Sequence, residues 1–393
     1  MIDNFNFSAL PPLSLYIHVP WCIRKCPYCD FNSHTAPDTL AETAYVDALI
    51  RDLEQEVPTI WGRSIKTIFI GGGTPSLLSA EAYERLFSAV RSLVPVVPHA
   101  EITLEANPGT FEQQRFSDYR DVGINRLSLG IQSFNNEALK ALGRIHDSQQ
   151  ATSAVENARK VGFANINLDL MFGLPGQTET LANNDIKTAL ALAPNHISYY
   201  QLTIEPNTLY HQQPPNLPDE DAIIDWQISN QQQLAEAGYQ QYEVSAYALQ
   251  GQECRHNTNY WQFGDYVGIG AGAHGKITDA ASQSITRRCK QKQPQTYIDT
   301  AGQPAAILTG ETISSRDIGF EFMLNALRLT HGFPTRLFAQ HAGLPVSHIK
   351  HALQQAEQQG LIQWDVHRIC PTEKGHRYLN SLIELFLPDT LAN

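Results

Sequence analysis

The sequence contains no long apolar run and few charged residues. Its apolar stretches fall short of the roughly 18 residues that a membrane-spanning helix needs. Residues 1–13 hold no basic residue and no extended apolar core, unlike a secretory signal peptide. Charged residues make up 17% of the 393 residues, against roughly 25% in ordinary soluble domains. With 28 Lys+Arg and 40 Asp+Glu, the formal net charge of −12 disfavours a nucleic-acid-binding protein. We therefore expect a soluble cytoplasmic protein.

Cysteine is also scarce, and its six residues are unevenly spaced. A secreted disulfide scaffold is short and dense in cysteine, and this chain is neither. Cys22, Cys26 and Cys29 fall within eight residues, which makes this triplet the most informative feature of the composition. The sequence assigns no role to the scattered cysteines Cys254, Cys289 and Cys370.

Short β-like runs alternate with amphipathic helical stretches over roughly the first 250 residues. Crossovers of this length predict a parallel sheet. Six such units make an α/β fold that is a partial (β/α)6 barrel, related to the TIM barrel but open. The expected strands are 13–19, 65–70, 101–106, 126–132, 165–172 and 196–202, and the expected helices are 40–55, 80–93, 111–121, 149–160 and 178–192.

The carboxyl ends of the strands are where such a barrel places its chemistry. The unusual residues of this sequence fall there. The cysteine triplet follows the first predicted strand, the glycine-rich run 71–75 follows the second, and Asn107 follows the third. Gln132 ends the fourth, and the run 173–176 follows the fifth. We therefore expect a functional site at this rim.

The rest of the chain predicts a change of architecture. A helix over 219–237 and a strand over 240–248 lead to a Gly-rich stretch at 264–275 and a polar, irregular linker at 278–309. From residue 314, a helix–helix–helix–hairpin order resembles a winged helix. The expected regions are the barrel at 1–250, a middle segment at 251–313 and a helical, winged-helix-like domain at 314–393.

The spacing Cys22-X3-Cys26-X2-Cys29 places three thiolates on one short loop. A zinc knuckle completed by Asp30 or His34 is one interpretation, although zinc sites usually add a second, distant ligand pair that is missing here. Three thiolates can also bind three corners of a cubane iron–sulfur cluster. The spacing favours the cluster and leaves zinc and free thiols open.

The residues around the triplet resemble the signature of the radical S-adenosylmethionine (SAM) superfamily. They are the run 15–22 and Cys26-Pro27-Tyr28-Cys29, with Tyr28 at the usual aromatic position. The resemblance implies a [4Fe-4S] cluster on the three cysteines, with SAM chelating the fourth iron. In that superfamily the cluster cleaves SAM to a 5′-deoxyadenosyl radical. The glycine run at 71–73 looks like the motif that holds the SAM amino group.

Nearly the whole chain resembles the oxygen-independent coproporphyrinogen III oxidase family, and within it the HemW branch of haem chaperones. The matching motifs lie at 102–108, 128–134, 142–144 and 167–175. Taken singly, such polar residues have structural alternatives, such as a helix cap or a surface charge. The resemblance implies a SAM pocket formed by Tyr16, Tyr28, Gly72, Gly73, Thr74, Glu105, Gln132, Arg144 and Asp169.

Two departures distinguish the chain from the oxidases of that family. Phe31 stands where they carry a fourth cysteine, and only 21 residues precede Cys22, where they have a longer extension. The run 255–261 matches the His-Asn-X-X-Tyr-Trp motif of the HemW branch. This implies haem binding with His256 as the candidate iron ligand. A hydrogen-bonded structural corner is the alternative for His256.

The resemblance implies a protein that binds haem and transfers it to acceptor proteins. The alternative is an enzyme that decarboxylates coproporphyrinogen III oxidatively, and the sequence leaves enzymatic activity open. The expected partners are haem and haem-acceptor proteins, with transient contact to a membrane protein allowed, and the chain is expected as a monomer or dimer. Specific DNA binding through the C-terminal domain is disfavoured, despite the basic residues Lys350, Arg368, Lys374 and Arg377.

Overall fold

The computed structural model describes residues 5–388, and most of its strands belong to one large sheet. The first strand of the sheet is largely buried, and in it Leu13, Leu15, Ile17 and Val19 alternate with Ser14, Tyr16 and His18, so that its two faces differ in polarity. In chain order the strands are β1 (Leu13–Val19), β2 (Trp21–Cys22), β3 (His34–Thr35), β4 (Ile65–Gly72), β5 (Val96–Ala106), β6 (Arg126–Gln132), β7 (Asn165–Phe172), β8 (His196–Gln201), β9 (Gln240–Glu243), β10 (Ala246–Ala248), β11 (Asp265–Ile269), β12 (His274–Asp279), β13 (Ser284–Lys290), β14 (Ile307–Thr312), β15 (Phe333–Pro334), β16 (Ile362–Trp364) and β17 (Arg368–Pro371).

Six neighbouring strands of the large sheet run parallel, in the order β1, β4, β5, β6, β7 and β8. This arrangement confirms the predicted partial (β/α)6 barrel. β11 adds a further parallel strand on the other side of β1. The antiparallel strands β12, β13 and β14 then extend that side of the sheet, and β10 and β9 extend the opposite side.

The crossover helices pack their apolar faces on the sheet. α2 illustrates why: the Ser79 hydroxyl caps its first turn by accepting from the Ala82 N–H at 3.1 Å, and Tyr83, Leu86 and Phe87 are buried. In chain order the helices are α1 (Glu42–Glu56), α2 (Ala80–Leu93), α3 (Thr110–Gln113), α4 (Phe116–Asp121), α5 (Asn136–Ala141), α6 (Ser148–Lys160), α7 (Glu179–Ala191), α8 (Leu209–Gln212), α9 (Glu220–Glu236), α10 (Arg255–Trp261), α11 (Pro294–Thr300), α12 (Ile318–Ala326), α13 (Arg336–Ala342), α14 (Lys350–Gln358), α15 (Glu373–Arg377) and α16 (Leu379–Glu384), with short 3-10 helices at Val57–Ile60, Pro75–Leu77, Pro304–Ala306 and Val346–Ile349.

Most predicted elements of the barrel are present, with changes at a few ends. β1, β6, β7 and α2 cover the predicted residues, and β4 and β5 are longer than predicted. The single helix expected over 111–121 is two short helices, α3 and α4. The single strand expected over 240–248 is a pair, because the chain reverses between β9 and β10, which bond antiparallel.

The irregular linker predicted over 278–309 is wrong. This stretch contains the end of β12, all of β13 and α11, and the first half of β14. The strands in this stretch were not predicted because charged residues occupy buried positions in them. Lys290 is buried and pairs with Asp52 at 2.5 Å and Glu56 at 2.7 Å, both on α1. These ion pairs replace the apolar alternation that usually marks a strand.

The C-terminal region forms a small α/β unit that matches the predicted winged-helix-like order. β15, β17 and β16 form a three-stranded sheet beside α12, α13 and α14. Its core holds Phe322, Phe338 and Ile369, and it also takes up Phe7 and Phe263 from outside 314–393. The predicted division at residue 250 falls within the large sheet, since β11 pairs with β1. Within residues 5–388, no helix is both long and apolar enough to cross a membrane.

The buried ion pairs of Lys290 give a test of the middle segment. We expect Lys290→Ala to lower the free energy of unfolding by about 3–5 kcal/mol, because it leaves the buried Asp52 without its cation and leaves Glu56 with Arg288 alone. The exposed pair of Arg85 with Asp47 supplies the control, and Arg85→Ala should cost less than about 1 kcal/mol. Urea unfolding measures both. Equal, small losses would contradict a structural role for the segment.

Candidate functional site

The cysteine loop leaves the barrel after β1 and is held by Asn32. The Asn32 side-chain amide donates to the carbonyls of Ala271 and Lys292, both at 2.9 Å. Gly272 adopts φ +80°, and a Cβ there would lie 2.3 Å from the Asn32 amide nitrogen, so glycine is required for this contact. The loop is therefore fixed against the turn between β11 and β12.

The three cysteines line one cavity of about 460 Å³, the first cavity, at the carboxyl ends of the parallel strands. Its volume suits a small-molecule ligand, for which roughly 300–1,000 Å³ is usual. All three thiols are free and partly buried. The strand ends and the residues after them supply the opposite wall, through Gly72, Gly73, Thr74, Glu105, Asn107, Ser128, Gly130, Gln132, Asp169, Met171 and Tyr200.

The glycine run at the end of β4 lets the backbone approach its neighbours closely. Gly72 has φ +119°, and a Cβ there would lie 2.6 Å from the His18 ring. A Cβ on Gly73 would lie 2.5 Å from the carbonyl oxygen of Trp21. A side chain at position 72 would displace the His18 ring, and a side chain at position 73 would displace the backbone of Trp21, next to the cysteine loop. The Gly72 N–H donates to Glu105 Oε2 at 3.1 Å.

Arg144 connects the cysteine loop to the strand ends. Its guanidinium donates to the Asn107 side-chain oxygen at 2.6 Å and to the Gly130 carbonyl at 2.8 Å. It also lies 3.6 Å from Cys26 Sγ. Among residues 5–388 its buried Nε has no hydrogen-bond partner. Arg144 therefore ties the cysteine loop to Asn107, which follows β5, and to Gly130 of β6.

Two half-buried carboxyl groups face the same cavity. Burial, and then the charge of Asp169, raise the pKa of Glu105 to about 8. Burial also raises the pKa of Asp169, which accepts hydrogen bonds from Ser128 Oγ at 3.0 Å and from Asn167 Nδ2 at 2.8 Å. A cationic ligand would relieve this cost, since it stabilises the ionised carboxylate.

Gln132 reaches the cavity through a distortion of β6. The pairing of β6 with β7 shifts between Leu129 and Gln132, and Gln132 has φ +68°. A positive φ at a residue other than glycine costs free energy and marks a specific local demand. Here the turned side chain accepts a hydrogen bond from the Tyr200 hydroxyl at 2.8 Å.

The donor set of the cysteine loop fits an iron–sulfur cluster. Thiolates are the usual ligands of such clusters, and three of them border a cavity with room beside them. Within residues 5–388, no group of three or more His, Cys, Asp and Glu side chains converges as the ligands of a single metal ion do. Tyr28, between two of the cysteines, also lines the cavity.

A second cavity, of about 730 Å³, adjoins the first. The two share Asp30, Phe31, Gly72 and Glu105 at their junction. Tyr16, expected in the SAM pocket, lines this second cavity and is absent from the lining of the first. The structure therefore brings all the predicted pocket residues except Tyr16 into the first cavity.

His256, the expected iron ligand, lies away from both cavities. His256 is completely buried and lines neither cavity among residues 5–388. Its Nδ1 lies 2.8 Å from Thr67 Oγ1, and its Nε2 lies 2.9 Å from the Tyr260 hydroxyl. Both ring nitrogens are thus occupied by hydrogen bonds. The structural corner, the alternative from the sequence, describes this histidine.

Several residues that line the two cavities were not predicted from the sequence. Ser128 stands four residues before Gln132 on the same strand, and Tyr200 lies near the end of β8. Because side chains alternate between the two faces of a strand, this period of two would have placed the side chains of Ser128 and Tyr200 inside the barrel. His274 of the second cavity lies near the end of the Gly-rich stretch, where the sequence has no periodic pattern.

Comparison with known proteins gives consistent matches. The Radical SAM superfamily matches residues 16–187, and the HemN C-terminal domain matches residues 313–378. The heme chaperone HemW of Escherichia coli (strain K12) is 48% identical over 97% of this chain and 99% of its own. The heme chaperone HemW of Bacillus subtilis (strain 168) is 34% identical over 95% and 99%.

Among solved structures, the coproporphyrinogen III oxidase HemN from Escherichia coli has a similar fold. Its TM-score is 0.81 at 24% identity, over 97% of this chain and 91% of the other. The similarity extends over both the barrel and the C-terminal domain.

The raised pKa of Glu105 gives a test of the site's electrostatics in the ligand-free protein. Between the ordinary pKa of 4.5 and about 8, the folded chain holds a proton that the unfolded chain releases, so stability falls as pH rises. Because glutamine does not titrate, we expect Glu105→Gln to remove this loss. Relative to the wild type, the variant should be a few kcal/mol more stable at pH 9 than at pH 5, since one pKa unit corresponds to about 1.4 kcal/mol. The exposed Glu54→Gln is the control. Parallel pH profiles in urea unfolding would contradict the buried, protonated state.

Proposed function

We propose that this chain, which belongs to the HemW family of the radical SAM superfamily, binds haem and passes it to acceptor proteins while holding a [4Fe-4S] cluster and SAM. The observation that carries the proposal is the pair of adjoining cavities. The first has the thiols and polar groups for a cluster and a small cationic ligand. The second, at about 730 Å³, is larger and lined with aromatic side chains.

In the first cavity we assign Cys22, Cys26 and Cys29 as the cluster ligands. When bound, the cluster and SAM supply one-electron chemistry at the sulfonium. The ionised form of Glu105 suits the positive charges of SAM, and the Gly72 N–H orients that carboxylate. The remaining residues that we assign to SAM are Tyr28, Gly73, Thr74, Gln132, Arg144 and Asp169, with Tyr16 contributing from the second cavity.

The cluster assignment has a direct test. Anaerobically reconstituted Cys26→Ala should lose the brown charge-transfer absorption and its bound iron, because one of three thiolates is gone. Cys370→Ala is the matched control, since Cys370 is a free cysteine on β17 in the C-terminal unit. A Cys26→Ala protein that keeps the absorption and iron content of the control would refute the ligand assignment.

Phe31 supports the choice of carrier over oxidase. It occupies the position of the extra cysteine of the oxidases, and it lies at the junction of the two cavities with 58% of its surface exposed. An exposed aromatic ring there offers an apolar surface to a porphyrin and offers no thiol. An oxidase of this family would carry a cysteine sulfur at this position, and this chain has none there.

Binding and turnover together test the function. Titration of the reconstituted protein with haem should give a saturable difference spectrum. Anaerobic incubation with SAM, a reductant and coproporphyrinogen III should leave that substrate unchanged. Formation of protoporphyrinogen over many turnovers would overturn the carrier function in favour of the oxidase.

The proposed acceptors are proteins that need haem, including membrane proteins contacted transiently. We place this exchange in the cytoplasm and propose that the chain acts as a monomer or dimer. The C-terminal unit is suited to cap the haem cavity or to dock the acceptor, because Asn325 of α12 belongs to the wall of the second cavity.

A further inference from the structure

We propose that haem occupies the second cavity and that the imidazole of His274 binds its iron. This inference rests on the proposed haem-carrier function and specifies where the cargo sits. The His-Asn-X-X-Tyr-Trp motif of α10 then supplies aromatic side chains to the cavity wall, whereas the iron ligand comes from the start of β12.

The wall of the second cavity suits a flat, apolar ring system. Tyr260, Trp261, Phe263 and Tyr266 line it, and Phe31 stands at its junction with the first cavity. Aromatic faces pack against a porphyrin over a large area. The cavity, at about 730 Å³, is within the roughly 300–1,000 Å³ usual for cofactor-sized ligands.

Two histidines line this cavity, and the structure distinguishes them. His18 is buried between the Tyr16 hydroxyl and the Asn32 carbonyl, each 2.9 Å from one ring nitrogen. His274 is exposed, and its Nε2 lies 3.5 Å from Cys289 Sγ. Among residues 5–388, its Nδ1 has no hydrogen-bond partner. His274 therefore has a ring nitrogen available for iron.

The surroundings of His274 favour a metal-binding imidazole. Although the side chain is exposed, its ring is partly desolvated by its neighbours. This desolvation, and then the positive charges of Lys292 and Arg287, lower the pKa of His274, so its neutral form prevails at neutral pH. With Nδ1 on iron, the Nε2–H would donate to the Cys289 sulfur. Metal-ligating histidines usually fix their orientation by such a contact of the other ring nitrogen.

The same cavity carries cations for the two propionates. Lys25 and Lys292 line it, and neither forms an ion pair among the described residues. Arg287 lines it as well, although its guanidinium already pairs with Glu321. The positive charge of these side chains suits carboxylate groups at the edge of a porphyrin.

His256 acquires a positioning role in this arrangement. It sits one helical turn before Tyr260 on α10, and its Nε2 holds the Tyr260 hydroxyl at 2.9 Å. Tyr260 and Trp261 of the same helix face the cavity, whereas His256 packs inward against Phe69. Through His256, the motif thus orients aromatic side chains in the wall of the second cavity.

The test is haem titration of the reconstituted full-length protein and its His274→Ala variant, with His351→Ala as the control. His351 is an exposed histidine of α14. We expect His274→Ala to bind haem at least about tenfold more weakly, as loss of a metal-binding contact does, and to shift the Soret band. Added imidazole should restore the wild-type band in this variant, which a merely structural role would not allow.

The outcomes separate the two proposals. Wild-type affinity and an unchanged Soret band in His274→Ala would overturn the ligand assignment and leave the carrier function standing. Weaker binding that imidazole does not restore, with the Soret band unchanged, would overturn it too. A wild-type protein that does not bind haem would overturn the carrier function itself. The cluster absorption reports folding of each variant, and His274→Gln replaces His274→Ala if the latter loses it.

Discussion

The site depends on the two hydrogen bonds that the Asn32 side chain donates to the Ala271 and Lys292 carbonyls. Through them, a loop that follows the first strand is fixed to a turn about 240 residues later in the chain. The contact sets one wall of each cavity, because the cysteines lie on one side of the loop and Lys25 on the other. A carrier with two neighbouring ligands needs this loop to be rigid.

The polar interior of the barrel is costly for an unliganded protein. Glu105 and Asp169 lie together on the wall of the first cavity, and desolvation by the surrounding protein is the main cause that raises the pKa of each. The chain retains this unfavourable arrangement at the site, whereas elsewhere it pairs buried carboxylates, as Lys290 does for Asp52. A cationic ligand bound here would offset this cost, and ligand binding would then be coupled to stability.

Much of the fold was predictable because its signals are local. In the strands at 13–19, 126–132 and 165–172, apolar residues alternate with polar ones, and this local alternation places side chains inside or outside the barrel. The strands between 274 and 312 were not predictable in this way. Their buried charges are satisfied by partners on α1, which only the folded chain brings near.

The sequence by itself determined the three-thiolate loop, the parallel barrel and the rim where the pocket residues meet, since spacing and periodicity are properties of neighbouring residues. Only the tertiary structure decided which histidine faces the larger cavity. His256 belongs to the recognisable motif but points into the barrel, while His274 stands in an unremarkable stretch and lines the cavity wall. The reason is physical: the accessibility of a ring nitrogen depends on packing between strands and helices that are distant in the chain.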